Sequence, residues 1–163
     1  MLIIICGLPG TGKSTLAKAL CKEFNAIRIS SDRIRKGSGT PDYSEEGREE
    51  IYKKMVGEAA KAIMEGVNVV ADGTFSKESW RKEMEKIAPS NGCFLVLCTI
   101  PKEDVRKRIM FRKNTESDAD YEVYLKLEAK FEKPEDFIRV DSKLPLRERV
   151  IAVKKAIKWK QKK

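Results

Sequence analysis

Gly7-Leu-Pro-Gly-Thr-Gly-Lys13-Ser14 places three glycines, a lysine and a hydroxyl in the spacing G-x-x-x-x-G-K-[ST]. The chemistry this suits is the holding of a polyphosphate. Phosphate oxygens need several donors converging at short range, and backbone N–H groups converge only where no side chain intrudes. Gly7, Gly10 and Gly12 provide that room. A helix beginning near Lys13 directs its positive end at the same charge. The expected cradle is Gly7, Pro9, Gly10, Thr11, Gly12, Lys13, Ser14 and Thr15. Within it Lys13 offers a cation to the β- and γ-phosphates and the Ser14 hydroxyl a ligand for Mg²⁺. The pattern implies a bound nucleoside triphosphate, here expected to be ATP.

Two carboxylates and a group of arginines extend the chemistry. Asp32, in Ile29-Ser-Ser-Asp32-Arg-Ile-Arg35, follows a short strand where an acceptor beside the γ-phosphate would lie. A carboxylate there can accept a hydroxyl proton and orient the oxygen; the competing reading is a cap on a helix beginning at Arg33. Arg35 either grips an anionic substrate or sits in water. Asp72 ends the run Val69-Val-Ala71, the pattern of an acid that holds Mg²⁺ directly or through water, or else of a turn acid before Gly73. Thr74 and Trp80-Arg81 fall near the same rim as candidate acceptor contacts, with Trp80 equally suited to the core. Arg106, Arg108 and Arg112 lie within about two turns of a basic helix. They read either as a solvated face or as lid residues that neutralise charge on a transferring phosphoryl group, with Arg108 and Arg112 sharing a face.

The elements that must position these residues alternate strand and helix. Strands are expected at Leu2–Cys6, Ala26–Ser30, Val67–Ala71, Cys93–Ile100 and Phe137–Val140, the fourth of them central. Leu16, Ala17, Leu20 and Phe24 mark the first helix. Residues 37–43 read as a loop, and Ser44 caps a helix carrying Ile51, Met55, Ala59 and Ile63 that stops at Gly66. Ser76 caps a helix with Trp80, Met84 and Ile87 inward. Lys102–Lys113 and Ala119–Phe131 are helical about the polar break Asn114–Asp118, and Leu146, Val150, Val153 and Ile157 face inward on the last helix. Such alternation predicts an α/β protein with one parallel sheet covered on both faces and ligands at the carboxyl ends of its strands.

Composition agrees with a single domain over 1–163, 41% hydrophobic. No run of about 18 apolar residues occurs, and Met1–Cys6 lacks the length and basic start of a signal peptide, so the expected place is the cytoplasm and no membrane is expected as a partner. Cys6, Cys21, Cys93 and Cys98 are scattered and histidine is absent, which weighs against zinc and against a disulfide framework. Of the net charge of +9, six units come from Lys154, Lys155, Lys158, Lys160, Lys162 and Lys163. A solvated terminal helix accounts for them, and a nucleic-acid partner stays open.

Gly7–Ser14, Ser31-Asp32 with Arg35, Asp72-Gly-Thr-Phe75, Trp80-Arg81, Ser117-Asp-Ala-Asp120 and Val140-Asp141 together resemble the small P-loop kinases of the AAA-domain group. That group is similar to polynucleotide 5′-hydroxyl kinases, zeta toxin and chloramphenicol phosphotransferase, and more distantly to gluconate and seryl-tRNA kinases. The resemblance implies a P-loop NTPase fold with a five-stranded parallel sheet in the order 2-3-1-4-5, flanked by helices and carrying a small helical lid. It implies Asp32 as general base, Lys13, Arg108 and Arg112 on the phosphates, Ser14 on Mg²⁺, and the loop after Asp141 near adenine. Asp-Gly-Thr-Phe-Ser stands where adenylate kinases have Asp-Gly-Phe-Pro-Arg, so the arginine that reads a nucleoside monophosphate is missing. Residues 36–50 hold nothing diagnostic of an acceptor.

The function expected is an ATP-dependent transfer of the γ-phosphate to a hydroxyl on a nucleic-acid 5′-end or a small metabolite. Asp32, Arg35, Thr74 and Arg81 would meet the acceptor, and Ser14 and Asp72 the metal. The alternatives are an NTP-hydrolysing switch or RNA-related assembly factor, and a nucleoside monophosphate kinase. Oligomeric state is not legible in the chain.

Overall fold

The structure is a computed structural model, and it describes residues 1–38, 44–111 and 119–162. β1 (Leu2–Cys6) is a run of large aliphatic residues closed by a cysteine, every one fully buried. A strand with both faces apolar must be covered on both, and the rest of the chain does so. β2 (Ala26–Ser30), β3 (Asn68–Asp72), β4 (Cys93–Thr99) and β5 (Ile138–Asp141) join β1 in a five-stranded sheet ordered β2-β3-β1-β4-β5. All four ladders are parallel. β1 is central, and β4 lies beside it.

The helices are α1 (Lys13–Phe24), α2 (Ser31–Gly37), α3 (Glu45–Met64), α4 (Glu78–Lys86), α5 (Lys102–Phe111), α6 (Tyr121–Ala129) and α7 (Leu146–Lys160). Side chains alternate across the sheet, so each strand feeds two cores. Leu2, Ile4, Val69, Ala71 and Leu97 pack under α3 and α4 with Met55, Ala59 and Met84. Ile3, Ile5, Val70, Val96 and Cys98 pack against α1 and α7 with Leu16, Leu20, Val153 and Ile157.

Local signals explain most boundaries. The Ser44 hydroxyl accepts the Gly47 N–H at 3.0 Å and caps α3. At its other end Gly66 takes φ of +78°, while the N–H groups of Gly66 and Val67 donate to the carbonyls of Ile63 and Ala62. That pairing is a Schellman motif, and only a glycine enters it without steric cost.

Two expected caps are not made. Ser76 does not cap α4: the helix starts two residues later, Ser76 is buried, and the free Glu78 N–H donates to the Glu132 carboxylate at 2.5 Å. A carboxylate distant in sequence supplies what a local hydroxyl was expected to. Nor does Asp32 cap a helix starting at Arg33, because α2 already begins at Ser31 and Ser30 is its cap residue. Of the expected loop 37–43, residues 39–43 lie outside the described residues, as do Arg112, Lys113 and the polar break 114–118. No helix among the described residues is long and apolar enough to cross a membrane.

Candidate active site

The P-loop leaves β1 at its carboxyl end and turns straight into α1. Gly7, Gly10 and Gly12 all adopt positive φ, at +141°, +80° and +81°. Close approach is a second constraint: a Cβ on Gly7 would sit 2.6 Å from the Cys98 carbonyl oxygen. On Gly10 it would sit 3.1 Å from Val105 and 3.2 Å from Ile109, so α5 rests directly on the loop. Gly12 caps α1, whose unpaired first-turn N–H groups open toward the loop.

The loop is tied to its neighbours through backbone. Gly73 N–H donates to the Ile5 carbonyl at 3.2 Å and Gly7 N–H to the Thr74 carbonyl at 3.3 Å. The segment carrying Asp72 and Thr74 is thereby zipped to the start of the P-loop. From the far side, the Ser142 hydroxyl donates to the Thr11 carbonyl, and Arg108 Nη2 donates to the Ser142 carbonyl at 2.9 Å.

One pocket gathers seven of the fifteen expected residues. Its walls include Pro9, Lys13, Ser14, Asp32, Arg35 and Asp72, with Gly73 and Thr74 at the edge. Lys13 Nζ donates to the Leu8 carbonyl at 2.9 Å. Burial pushes its ammonium below the ordinary lysine range, while Asp32 and then Asp72 pull it back up. Arg35 Nη1 donates to Asp32 Oδ1 at 2.9 Å. Asp72 Oδ2 takes Arg28 Nη2 at 2.8 Å, and both side chains are nearly sealed from solvent. Its other oxygen, Oδ1, is buried with no hydrogen-bond partner.

That orphan oxygen is the observation on which a metal is judged. Mg²⁺ takes hard oxygen ligands from one or two carboxylates and completes its octahedron with water and phosphate. An unsatisfied carboxylate oxygen on a residue that shares one pocket with Ser14 and the polyphosphate cradle fits that ion. No cluster of three or more His, Cys, Asp or Glu occurs among the described residues. Burial pushes the Cys6 thiol up to about 12 and the Cys98 thiol up to about 11, so both are neutral packing groups beneath the loop.

Other expected contacts fall elsewhere. Arg81 is 2% exposed, and its Nη1 donates to the Phe75 carbonyl at 2.7 Å, away from the pocket walls. Trp80 is core, stacked on Tyr52 with ring centroids 4.4 Å apart. Thr15 is exposed on α1. Arg106 lies over the Tyr121 ring rather than the loop, and Arg112 is outside the described residues.

Four residues of the site were not anticipated. Tyr52 Oη accepts the Phe75 N–H at 2.7 Å, and with Arg81 it holds both backbone groups of a buried residue at φ of +46°. Arg48, one turn before Tyr52 on α3, lines the same pocket. Arg28 is the ion-pair partner of Asp72. Arg149 is buried at the start of α7, its Nη1 3.4 Å from where a Cβ on Gly12 would be, with Arg108 Nη1 at 3.5 Å. Two of them had a signal: a charge in mid-strand for Arg28, and four-residue spacing to Val153 and Ile157 for Arg149.

A parallel sheet in the order 2-3-1-4-5, with this glycine-rich loop between its central strand and the following helix, defines the P-loop NTPase architecture. The chain belongs to the family described as AAA domain, whose model matches residues 2–134. Among curated proteins, uncharacterized proteins of Mycobacterium tuberculosis and Mycobacterium bovis are 28% identical over 144 residues. The match takes in 79% of this chain but only 29% of theirs, so the chain spans less than a third of the relatives' length. Among solved structures, an unliganded sugar kinase from Janibacter aligns with a TM-score of 0.75 at 18% identity, covering 97% of this chain and 92% of that one. A gluconokinase from Sinorhizobium meliloti gives 0.73 at 20% identity, over 96% and 90%. The APS kinase of Mycobacterium tuberculosis, in complex with AMPPNP and APS, gives 0.70 at 18% identity over 96% of each chain.

Proposed function

We propose that this chain is an ATP-dependent phosphotransferase that moves the γ-phosphate to a hydroxyl acceptor, acting as a single P-loop kinase domain. One observation carries the reading: Lys13, at the phosphate cradle, and Asp32, beyond β2, line one pocket with the half-satisfied Asp72 between their strands. A machine for hydrolysis alone needs a positioned water. A carboxylate across the pocket from the cradle, oriented by its own arginine, suits an alcohol instead. The structural neighbours are a sugar kinase, a gluconokinase and an APS kinase, each named for a small-molecule acceptor or its class, and they point the same way.

In this mechanism the P-loop N–H groups and the amino end of α1 hold the β- and γ-phosphates. Lys13 leaves the Leu8 carbonyl for the phosphate oxygens, whose negative charge favours its ammonium form. Ser14 and Asp72 are the residues that would hold Mg²⁺, which when bound neutralises charge shared between the β- and γ-phosphates. Arg35 occupies Asp32 Oδ1, so Oδ2 is the oxygen offered to the acceptor. Asp32 takes the hydroxyl proton as the new O–P bond forms, and the bond from phosphorus to the β–γ bridging oxygen breaks to leave ADP. Arg108, which donates to the Ser142 carbonyl and lies near Gly12, would meet the charge that develops on the phosphates.

The test is transfer of labelled γ-phosphate to short 5′-hydroxyl oligonucleotides and to a panel of small alcohols. Asp32→Asn is expected to abolish transfer while ATP binding persists. Steady hydrolysis with water alone, unmoved by any acceptor and unchanged in Asp32→Asn, would replace the kinase with an NTP-driven switch.

A further inference from the structure

α7 is packed on one side. Arg149, Val153 and Ile157 are its buried residues, and the last two join Leu16 and Leu20 of α1 in one core, with Leu146 and Val150 at the edge. The opposite side is in water. There Arg147, Ile151, Lys155 and the pair Lys158-Trp159 recur at three- and four-residue spacing, all exposed, with an exposed Lys162 in the turn that follows.

The charge on this side is not balanced within the fold. Lys154 is paired with Glu23 of α1, and Lys160 with Asp136 at 2.7 Å. Arg147, Lys155, Lys158 and Lys162 enter no ion pair among the described residues, and Glu148 is the one acid on the helix. Apolar surface lies among these cations: Ile151 is 40% exposed and Trp159 57%. An indole that could bury about 150–250 Å² is left in water, with Lys155 four residues before it and Lys162 three after.

Cations beside an exposed flat ring are what a single-stranded nucleic acid requires, lysines for its phosphates and the ring for an unstacked base. A duplex would use only the lysines, because its bases are already stacked on one another. An anionic bilayer fits worse. A helix lying in a lipid interface buries its apolar stripe there, and the stripe of α7 is already committed to the core. Ile151 and Trp159 are the large apolar residues it has left outside.

We propose that the outward face of α7 binds single-stranded nucleic acid, with Arg147, Lys155, Lys158 and Lys162 on backbone phosphates and a base stacked on Trp159. The helix starts beside the cradle, where Arg149 lies near Gly12, and Trp159 is about 15 Å further along the axis. No residue of α7 lines the pocket that holds Asp32. The surface is a docking site apart from the chemistry, and the inference does not depend on the phosphotransferase reading.

The two tryptophans of the chain allow a direct test, because Trp80 is buried and quenching of emission by a ligand reports on Trp159. The full chain is titrated at low salt with a single-stranded oligo-dT, a hairpin duplex, heparin, and phosphatidylcholine vesicles containing phosphatidylserine. Saturable binding of the single strand is expected, with quenched emission, at least tenfold tighter than the hairpin and weakening as salt is raised. Replacing Lys155, Lys158 and Lys162 together by glutamine should weaken it at least tenfold and flatten the salt dependence. Trp159→Ala should weaken it at least fivefold, with recovery in Trp159→Phe. These variants should keep the wild-type Tm and ATP affinity, since the altered side chains face water away from the cradle. Absence of saturable binding, or binding that neither quenches emission nor responds to Trp159→Ala, overturns the proposal. So does a hairpin or heparin bound as tightly as the single strand, which would leave only a polyelectrolyte contact. Vesicle binding that shifts emission to the blue, with no uptake of oligonucleotide, overturns it in favour of a membrane surface.

Discussion

Arg28 reaches from β2 to place Nη2 2.8 Å from Asp72 Oδ2 at the end of β3, and Asp72 Oδ1 stays buried without a hydrogen bond. The ladder makes this possible: Arg28 lies opposite Val70 and Ser30 opposite Asp72, so Arg28 and Asp72 are diagonal neighbours on one face. The pair fixes one oxygen and leaves the other for chemistry.

Breaking such a pair from one side strands a buried charge, at about 3–5 kcal/mol. Asp72→Ala and Arg28→Met are each expected to lose about that much in urea denaturation. The double variant should lose clearly less than the two together, because no lone charge is left behind. Additive losses would mean that the two side chains do not act as a pair.

Lys13 yields a prediction about protons. Its ammonium is pushed down by burial in the free protein, with Asp32 and Asp72 only partly opposing. A bound triphosphate favours the charged form, so the group's pKa rises on binding. At an alkaline pH between the two values, ATP binding takes up protons, and affinity falls as pH rises through the free-protein value. Calorimetry of ATP binding in two buffers of different ionisation heat measures the uptake directly. The same shift makes the unfolded chain the tighter proton binder. The ligand-free fold therefore gains stability as pH climbs from the lowered value toward the ordinary lysine range, about 10.4.

Much of the frame was legible because it is written in local pattern. The strands were found within a residue or two at each end, since β-branched runs bounded by turns have few other solutions. The P-loop was legible because the backbone it needs excludes almost everything but glycine. What escaped depends on partners far apart in sequence. Glu132 caps α4 across 54 residues, and Arg28 meets Asp72 across 44. No window along the chain contains either pair. Arg81 is a different case: nothing local says that a guanidinium will turn inward to hold the carbonyl of a left-handed Phe75.

Gly7 and Gly57 test the steric reading by contrast. At Gly7 a methyl group meets the Cys98 carbonyl at 2.6 Å with φ at +141°, whereas at Gly57, exposed inside α3, it meets nothing within 4 Å. Gly7→Ala should cost about 1–3 kcal/mol of stability and distort the cradle. Gly57→Ala should gain about 0.8–1 kcal/mol from helix propensity alone. Thermal denaturation of the two variants should move in opposite directions, and only Gly7→Ala should lose ATP binding.

Arg149 is the residue whose removal would say most about how the cradle is charged from beneath. It shares a buried face of α7 with Val153 and Ile157, where an apolar side chain would pack as well. Its Nε is buried with no hydrogen bond, while Nη1 approaches the place a Gly12 Cβ would occupy. Burying a guanidinium beside a loop that already concentrates N–H dipoles is unfavourable until an anion arrives, and that cost is returned when it does. Arg149→Met keeps most of the packing volume and removes the charge. The variant is expected to be at least as stable as the wild type when empty, yet to bind ATP more weakly by about 1.5–3 kcal/mol, tenfold or more in Kd. Inorganic tripolyphosphate should lose affinity in parallel if the charge acts on phosphate, and the wild-type advantage should shrink as salt is raised. A variant that is destabilised when empty and binds ATP normally would reduce Arg149 to a packing residue.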